Sequence, residues 1–289
     1  MGFIENALKP ILVDWVAQIT QDLFTDLNSS LALVVNNVGQ TPSEWNVSIF
    51  NTILSLAQTV MMPLAGLILT FVLGAEIVSM ITSRNNMHDF DVGTLLQYIF
   101  KCFIAIIIVS NAWDICNAIF AIGKTLAQRA GIVIGAGWSG DNSLLSALQT
   151  EIEAMSIGQL LMFGIEMLVI RFSIQIMSII ISVILYGRML EIYIHISVAP
   201  VPFATMLNRE WGGIGTNYIK GIAALAFQGF FMIVCLGIYY ALINSMLVGA
   251  VTSVAQAHSS MMTVLIFTAL LCATLAKCGT ISKSILNAH

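Results

Sequence analysis

Five runs of this chain are too long and too apolar to be the core of a water-soluble domain. They lie within Ile49–Ile81, Leu95–Ile122, Ile157–Leu185, Ile219–Met246 and Met261–Leu286. Each holds the roughly 20 apolar residues that a helix needs to cross a bilayer of about 30 Å hydrocarbon thickness. Only 9% of the 289 residues are charged, and the mean hydropathy is +0.92. A soluble domain carries about 25% charged residues, so this chain cannot cover a water-facing surface. In lipid, every backbone polar group must be satisfied internally, and apolar runs of this length do so as helices. The expected fold class is all-α: a polytopic helical membrane protein. It has about five transmembrane helices, a broken re-entrant or interfacial segment and an N-terminal amphipathic helix.

The expected organisation has two parts. Residues 1–47 form the amphipathic helix and a connector, on the outside. Residues 48–289 form a single transmembrane helical domain, with an outer loop at 123–155 and a broken segment at 186–215. Within the first part, Ile4, Leu8, Ile11, Leu12, Trp15, Val16, Ile19, Leu23 and Leu27 recur at helical spacing. Glu5, Asp14, Asp22 and Asp26 sit mostly off that stripe. An acidic polar face suits contact with protein, either a partner or this chain's own bundle, or the outer leaflet. It does not suit anionic cytoplasmic lipid. Thr41-Pro42-Ser43-Glu44 reads as a helix start, with Thr41 as N-cap. The opening MGFIENALKPILVDW mixes charges and shows no signal-peptide pattern, and Asn6 argues against myristoylation.

The segment YGRMLEIYIHISVAPVPFATMLNREWGGIG, Tyr186–Gly215, decides the topology. It is apolar enough to enter a bilayer, yet it holds Glu191, His195, Pro200 and Pro202 and ends in a charged, glycine-rich loop with Arg209 and Trp211. If Met189–Met206 does not cross, Arg84, Arg188, Arg209, Lys220, Lys277 and Lys283 share one side. Lys9, Lys124 and Arg129 then lie on the other. That is the positive-inside pattern, with the N-terminus out and the C-terminus in. If it crosses, the bias collapses. Charge therefore favours the broken, returning segment. Pro200 and Pro202 each remove a backbone donor and clash with a regular helix. Glu191 and His195, four apart, share a helical face as a local pair.

Besides Lys101 and Lys220 near the starts of their spans and Lys277 and Lys283 toward the end of the last, the spans hold Glu76, Asp114, Glu166 and Arg171. Charges at that depth need partners or a wet path. Arg171 is five residues from Glu166, about 140° around the helix, a poor angle for pairing. Asp114 or Glu76 from neighbouring spans are the expected partners. Pairing between helices or subunits is the structural reading of these charges, and lining a path is the functional one.

No catalytic or cofactor motif survives inspection, and no metal ligand set is evident. Ala118–Thr125, AIFAIGKT, matches a phosphate-loop pattern only formally. It ends an apolar helix instead of following a strand, and no acidic partner for magnesium appears. The five cysteines are scattered and read as small buried hydrophobes. His88, His195, His258 and His289 are dispersed. Gly66, Gly74 with Ala75, Ala223 with Ala224, and Ala269 with Ala273 permit close helix contact without naming a partner.

The run GRMLEIYIHISVAPVPFATMLNREWGGIGTNYIKGIAALAFQGFFMIVCLGIY, with its AP-P, EWG and QGFF elements, resembles the TrbL family. These are polytopic membrane subunits of conjugative type IV secretion systems, and the likeness is closest to compact relatives from Firmicutes. It is strongest over Gly187–Tyr240 and looser elsewhere. The resemblance implies an integral subunit of a DNA transfer machine in the bacterial cell membrane, part of the translocation channel or its inner-membrane assembly platform. It implies separate ATPases and a coupling protein as partners, and transient contact with a DNA–protein substrate. It carries no catalytic residues, and no cofactor is expected. A ring of several copies is the assembly this reading favours. The rival class is a small-solute or ion transporter, with a discontinuous midplane helix around Pro200, Glu191 and Arg171. A membrane enzyme has no motif in its favour.

Overall fold

The computed structural model describes residues 2–82, 92–135, 143–247 and 253–288. Of the described residues 92% are helical and none is in a strand, and the chain is an all-α polytopic membrane protein. In chain order the helices are α1 (Gly2–Val38), α2 (Pro42–Trp45), α3 (Val47–Leu56), a π-helical turn (Ala57–Met61), α4 (Met62–Thr82), α5 (Val92–Ser110), α6 (Ala112–Gly135), α7 (Ser143–Ala154), α8 (Ile157–Ser197), α9 (Pro200–Thr205), α10 (Gly212–Leu247) and α11 (Val254–Ile285).

Among the described residues four stretches are long and apolar enough to cross a membrane: Val47–Thr82, Ile157–Ser197, Gly212–Ser245 and Val254–Ile285. The expected span Leu95–Ile122 is not one straight helix. Leu95–Ser110 and Ala112–Ile134 meet at 63° and pass the same test only as a bent pair. Asn111 stands at the break, and its side-chain amide donates to the Ile107 carbonyl at 2.8 Å. A side chain that captures a carbonyl four residues back competes with the helical ladder and bends it.

The chain divides into two compact units. The first comprises Met1–Gly39, Ala127–Tyr186 and Phe230–Cys278; the second comprises Gln40–Leu126, Gly187–Gly229 and Gly279–His289. Helices α6, α8, α10 and α11 each give residues to both.

In the first unit, α1 continues its apolar stripe well past Leu27. Val16, Leu23, Leu31 and Val34 are buried with Leu148 and Ile152 of α7, Phe163, Met167 and Ile174 of α8, Met232 of α10 and Met261 of α11. Leu8 and Ile11, earlier on the stripe, are exposed. The stripe is thus used from Leu12 onward, with full burial from Val16, against the chain's own helices. Three contacts join α1 to α8 at sequence separations of 145, 148 and 149: Asp26 with Arg171, Ser30 with Ser178, and Asp26 with Gln175. Such near-constant separation means two helices running in the same direction side by side. A Cβ on Gly164 would overlap the Trp15 ring, so the glycine is what allows this approach. On the other face of α8, Leu161, Ile165, Leu168, Phe172, Ile176 and Val183 are exposed. A row of large apolar side chains in that position matches lipid as solvent.

Much of the expected outer connector is helical. Residues through Gly135 continue α6, and α7 occupies Ser143–Ala154. Ala127, Leu148 and Ile152 enter the core, and this burial outweighs the glycines that suggested a loop. Residues 136–142, the centre of that connector, lie outside the described residues. So do Arg84, His88, Asp89 and Asp91 of the preceding polar connector, and His289.

In the second unit, Ala65 and Leu69 of α4 and Ala105 and Val109 of α5 are buried with Met189, Ile192 and Ile196 of α8. Phe203 of α9 and Ile222 and Leu225 of α10 join the same core. The connector that follows α1 starts α2 where the sequence placed a helix start. The Glu44 carboxylate accepts the Thr41 N–H at 2.9 Å, and Pro42 fills the first turn.

Candidate functional site: charged inter-helix clusters and the folded Pro200–Gly215 loop

The segment that follows α8 is a compact device, not a further span. Helix α8 continues to Ser197, so Glu191 and His195 lie on it. It ends in tight turns, with Val198 N–H donating to His195 O and Ala199 N–H to Ile196 O, both at 3.3 Å. Pro200 forces that stop, because it has no N–H to continue the ladder and its ring clashes with a carbonyl one turn back. Pro200 and Pro202 then open α9, where a missing donor is tolerated. Helix α9 packs against α4 and α5.

Asn208 organises the loop between α9 and α10. Its side-chain oxygen accepts the N–H groups of Glu210 at 2.8 Å and Trp211 at 3.0 Å, and its side-chain amide donates to Glu76 Oε2 at 3.1 Å. Glu76 also takes Lys101 Nζ at 2.5 Å from α5. Trp211 stacks on Phe71, with ring centroids 5.5 Å apart and 12° between planes. The loop is therefore tied to α4 by an amide–carboxylate bond and an aromatic stack. Two glycines make the fold possible. A Cβ at Gly212 would come 2.7 Å from Met206 O, and one at Gly215 would come 2.7 Å from Pro202 O. The AP-P and EWGG elements are thus two sides of one close backbone packing. Arg209 is exposed.

Glu191 faces α11. It accepts Lys283 Nζ at 2.8 Å, while His195 Nε2 is 4.0 Å away, beyond hydrogen-bonding reach. The expected Glu191–His195 pair is therefore secondary to an ion pair across helices. Tyr218 of α10 donates its hydroxyl to the His195 carbonyl at 2.7 Å, and Tyr193 donates to Pro42 O at 2.7 Å.

The first unit holds the other charges. Arg171 pairs with Asp22 at 3.0 Å and with Asp26 at 3.3 Å. This corrects the expectation of Asp114 or Glu76. The parallel packing of α1 on α8 brings the acidic face of α1 onto Arg171, whereas Glu76 is engaged by Lys101 and Asn208. Asp114 is exposed in the first turn of α6, where the helix dipole favours a carboxylate. It has no ion pair among the described residues. Glu166 bonds His258 of α11, whose ring meets Phe163 edge-on at 5.0 Å. His258 and Lys283 were missed as partners because nothing local in sequence links α11 to α8.

The formal phosphate-loop match lies wholly inside α6. Its Lys124 pairs with Glu44 at 2.5 Å, and a Cβ at Gly123 would come 2.7 Å from Ala226 O. Glycine and lysine there serve packing. The cysteines do include one pair that spacing gave no hint of: Cys235 and Cys278 bring their sulfurs to 3.6 Å. Among the described residues no group of three or more His, Cys, Asp or Glu is placed to hold a metal ion.

What these clusters share is that each joins one helix to another: α1 to α8, α8 to α11, α4 to α5 and to the loop before α10. They hold helices in fixed positions against one another. No curated protein and no solved structure matches the chain. A family model described as TrbL/VirB6 plasmid conjugal transfer like protein matches residues 27–200. This match overlaps the Gly187–Tyr240 run only as far as Pro200, so it rests mainly on the last third of α1 through α8. It covers more than half of the chain, which therefore belongs to the TrbL/VirB6-like family of conjugal transfer membrane components.

Proposed function

We propose that this chain is an integral subunit of a conjugative type IV secretion machine, in the bacterial cell membrane, forming part of the translocation channel or its inner-membrane assembly platform. The family match over residues 27–200 carries the reading. The geometry supports it. The charges at Glu76, Glu166, Arg171 and Glu191 are bonded between helices, as befits a scaffold. Energy for transfer then comes from separate ATPases, which the chain meets together with a coupling protein, other machine subunits and further copies of itself in a ring. The DNA–protein substrate is a transient contact.

In this reading the N-terminus lies outside and the C-terminus inside, with the Arg209–Trp211 loop on the inner face. The support is the positive-inside count together with the stop of α8 at Ser197, before Pro200. Deletion of the gene, complemented in trans, tests the function. DNA transfer should fall by orders of magnitude and return with the wild-type chain, while growth is unchanged. Purification in mild detergent should yield a high-order assembly that retains other transfer subunits. A monomer or dimer stabilised by a small solute, with DNA transfer intact in the deletion, would instead establish a transporter. Arg209→Cys should react with a membrane-impermeant maleimide only after the membrane is opened; reaction from outside would reverse the orientation.

A further inference from the structure

Within the first unit, α1 and α8 stay in step over a long shared run. Trp15 lies against Gly164, Asp22 and Asp26 pair with Arg171, and Ser30 and Ser178 share a hydrogen bond at 2.8 Å. The two helices therefore run in the same direction at the same level. Gly164–Ser178 lies within the span Ile157–Ser197. It is about 21 Å long at a rise of 1.5 Å per residue, most of a hydrocarbon thickness of about 30 Å. A helix in step with a crossing helix over that length crosses beside it and does not lie flat on the membrane surface.

At this level the two helices turn opposite characters outward. On α8, Ile165, Val169, Phe172, Ile176 and Ile179 are exposed, one stripe at helical spacing. Gln175, exposed beside them, donates to Asp26 at the seam. On α1, Asp14, Gln18, Gln21, Thr25, Asn28 and Ser29 are exposed at the same spacing, and every exposed residue between Asp14 and Ser29 is one of these six. An apolar stripe of that size suits lipid. A stripe of amides, hydroxyls and a carboxylate does not, because polar and ionised groups at membrane depth face protein or a water-filled cavity. The seam between the stripes agrees: the side chains of Arg171, Asp22 and Asp26 are 28%, 42% and 34% exposed, so these ions also meet solvent.

One level of the unit thus requires two solvents, lipid along α8 and water along α1. A second copy of the same stripe is a poor cover for it. Asp14, Asp22 and Asp26 outnumber Arg171 along this part of the seam, so two such faces would meet as like charges. We propose that α1 crosses the membrane beside α8 and that its Asp14–Ser29 stripe is the wall of a water-filled path. This deepens the channel reading above and rests on it for the identity of what passes. Neutral amides and hydroxyls with a small excess of negative charge hold water without gripping phosphates, and a path must let its cargo leave.

The test uses the full chain in proteoliposomes, with its five cysteines replaced by alanine and one nitroxide label at a time. Labels go on α1 through Gln18→Cys, Gln21→Cys and Thr25→Cys, and on α8 through Val169→Cys, Phe172→Cys and Ile176→Cys. Electron paramagnetic resonance reads collisions with a water-soluble nickel chelate and with oxygen, which concentrates in lipid. The nickel-to-oxygen ratio should be severalfold higher on α1 than on α8. Should the cysteine-free chain fail to fold, a genetically encoded fluorophore at the same positions of the otherwise native chain gives the same contrast, through quenching by iodide or by brominated lipid. Nickel reaching both stripes would put the unit outside the bilayer and overturn the proposal. Oxygen prevailing on both would put α1 in lipid, and α1 labels reached by neither would put a protein on the stripe; either overturns it. The readout does not depend on DNA transfer. A wet α1 with transfer intact in the deletion strain would sink the conjugation reading and leave the wall. A dry α1 with transfer lost in that strain would sink the wall and leave the subunit.

Discussion

Asn208 donates its side-chain amide to Glu76 at 3.1 Å, and this one bond fastens the loop before α10 to the middle of the unit's buried charge pair. Glu76 is the hub, since it also holds Lys101 at 2.5 Å with only 9% of its side chain exposed. Glu76→Ala would leave Lys101 without its counterion and Asn208 without its acceptor. Breaking a buried pair by removing one partner costs about 3–5 kcal/mol. Lys101 is 32% exposed, so the lower end of that range is expected. Thermal unfolding in detergent should show the loss, and Glu76→Ala combined with Lys101→Met should recover most of it. No recovery in the double variant would show that Asn208, not Lys101, carries the effect.

The glycines of the same loop give a sharper contrast. Gly212 and Gly215 both face backbone oxygens at 2.7 Å from an added Cβ, while nothing lies within 4 Å of one at Gly213. Overpacking of this kind costs about 1–3 kcal/mol. Gly212→Ala and Gly215→Ala should each lower the unfolding midpoint and the yield of folded protein. Gly213→Ala should match the wild type or slightly exceed it, because the position is helical and open. Equal behaviour of all three variants would contradict the packing described.

These two sites show how far the sequence could be read. The helical class, four of the spans and the break at Pro200 follow from hydropathy and from proline's missing donor, both local properties. The helix start at Thr41 follows from capping chemistry, also local. The partners of the charges did not follow. Arg171 finds Asp22 and Asp26 because α1 lies parallel to α8, and no local signal sets that packing. The acidic face of α1 was visible, yet it read as a contact surface without an address. Likewise His258 and Lys283 meet Glu166 and Glu191 across helices, and Cys235 meets Cys278. The bend at Asn111 escaped because a single asparagine in an apolar run is commonly absorbed by a straight helix.

Arg171→Leu tests the α1–α8 seam. The side chains of Arg171, Asp22 and Asp26 are 28%, 42% and 34% exposed, so solvent screens the pair and its worth is about 1 kcal/mol. Membrane insertion should be unchanged, since a leucine suits lipid better than an arginine. The unfolding midpoint should drop modestly, and the assembled fraction should drop more, because two carboxylates are left unpaired on α1. Adding Asp22→Asn and Asp26→Asn should restore assembly. Normal assembly and transfer in Arg171→Leu alone would show that the seam is held by its apolar contacts.

Glu44 supplies a pH dependence with a definite sign. Its pKa is lowered from 4.5 to about 2, first by the hydrogen bond from Lys124 and then by the Thr41 N–H. A folded-state pKa below the unfolded value means that the ionised carboxylate stabilises the fold. That contribution is complete above pH 4.5 and disappears as the pH falls toward 2. The Glu44 side chain is 48% exposed, so screening limits the contribution to about 1 kcal/mol. Between pH 5 and pH 2 the wild type should therefore lose slightly more unfolding temperature than Glu44→Gln does. Lys124→Met should fall between them, because the Thr41 N–H still holds the carboxylate. Parallel acid profiles for the wild type and Glu44→Gln would mean that the Glu44–Lys124 contact adds nothing to the stability of the folded chain.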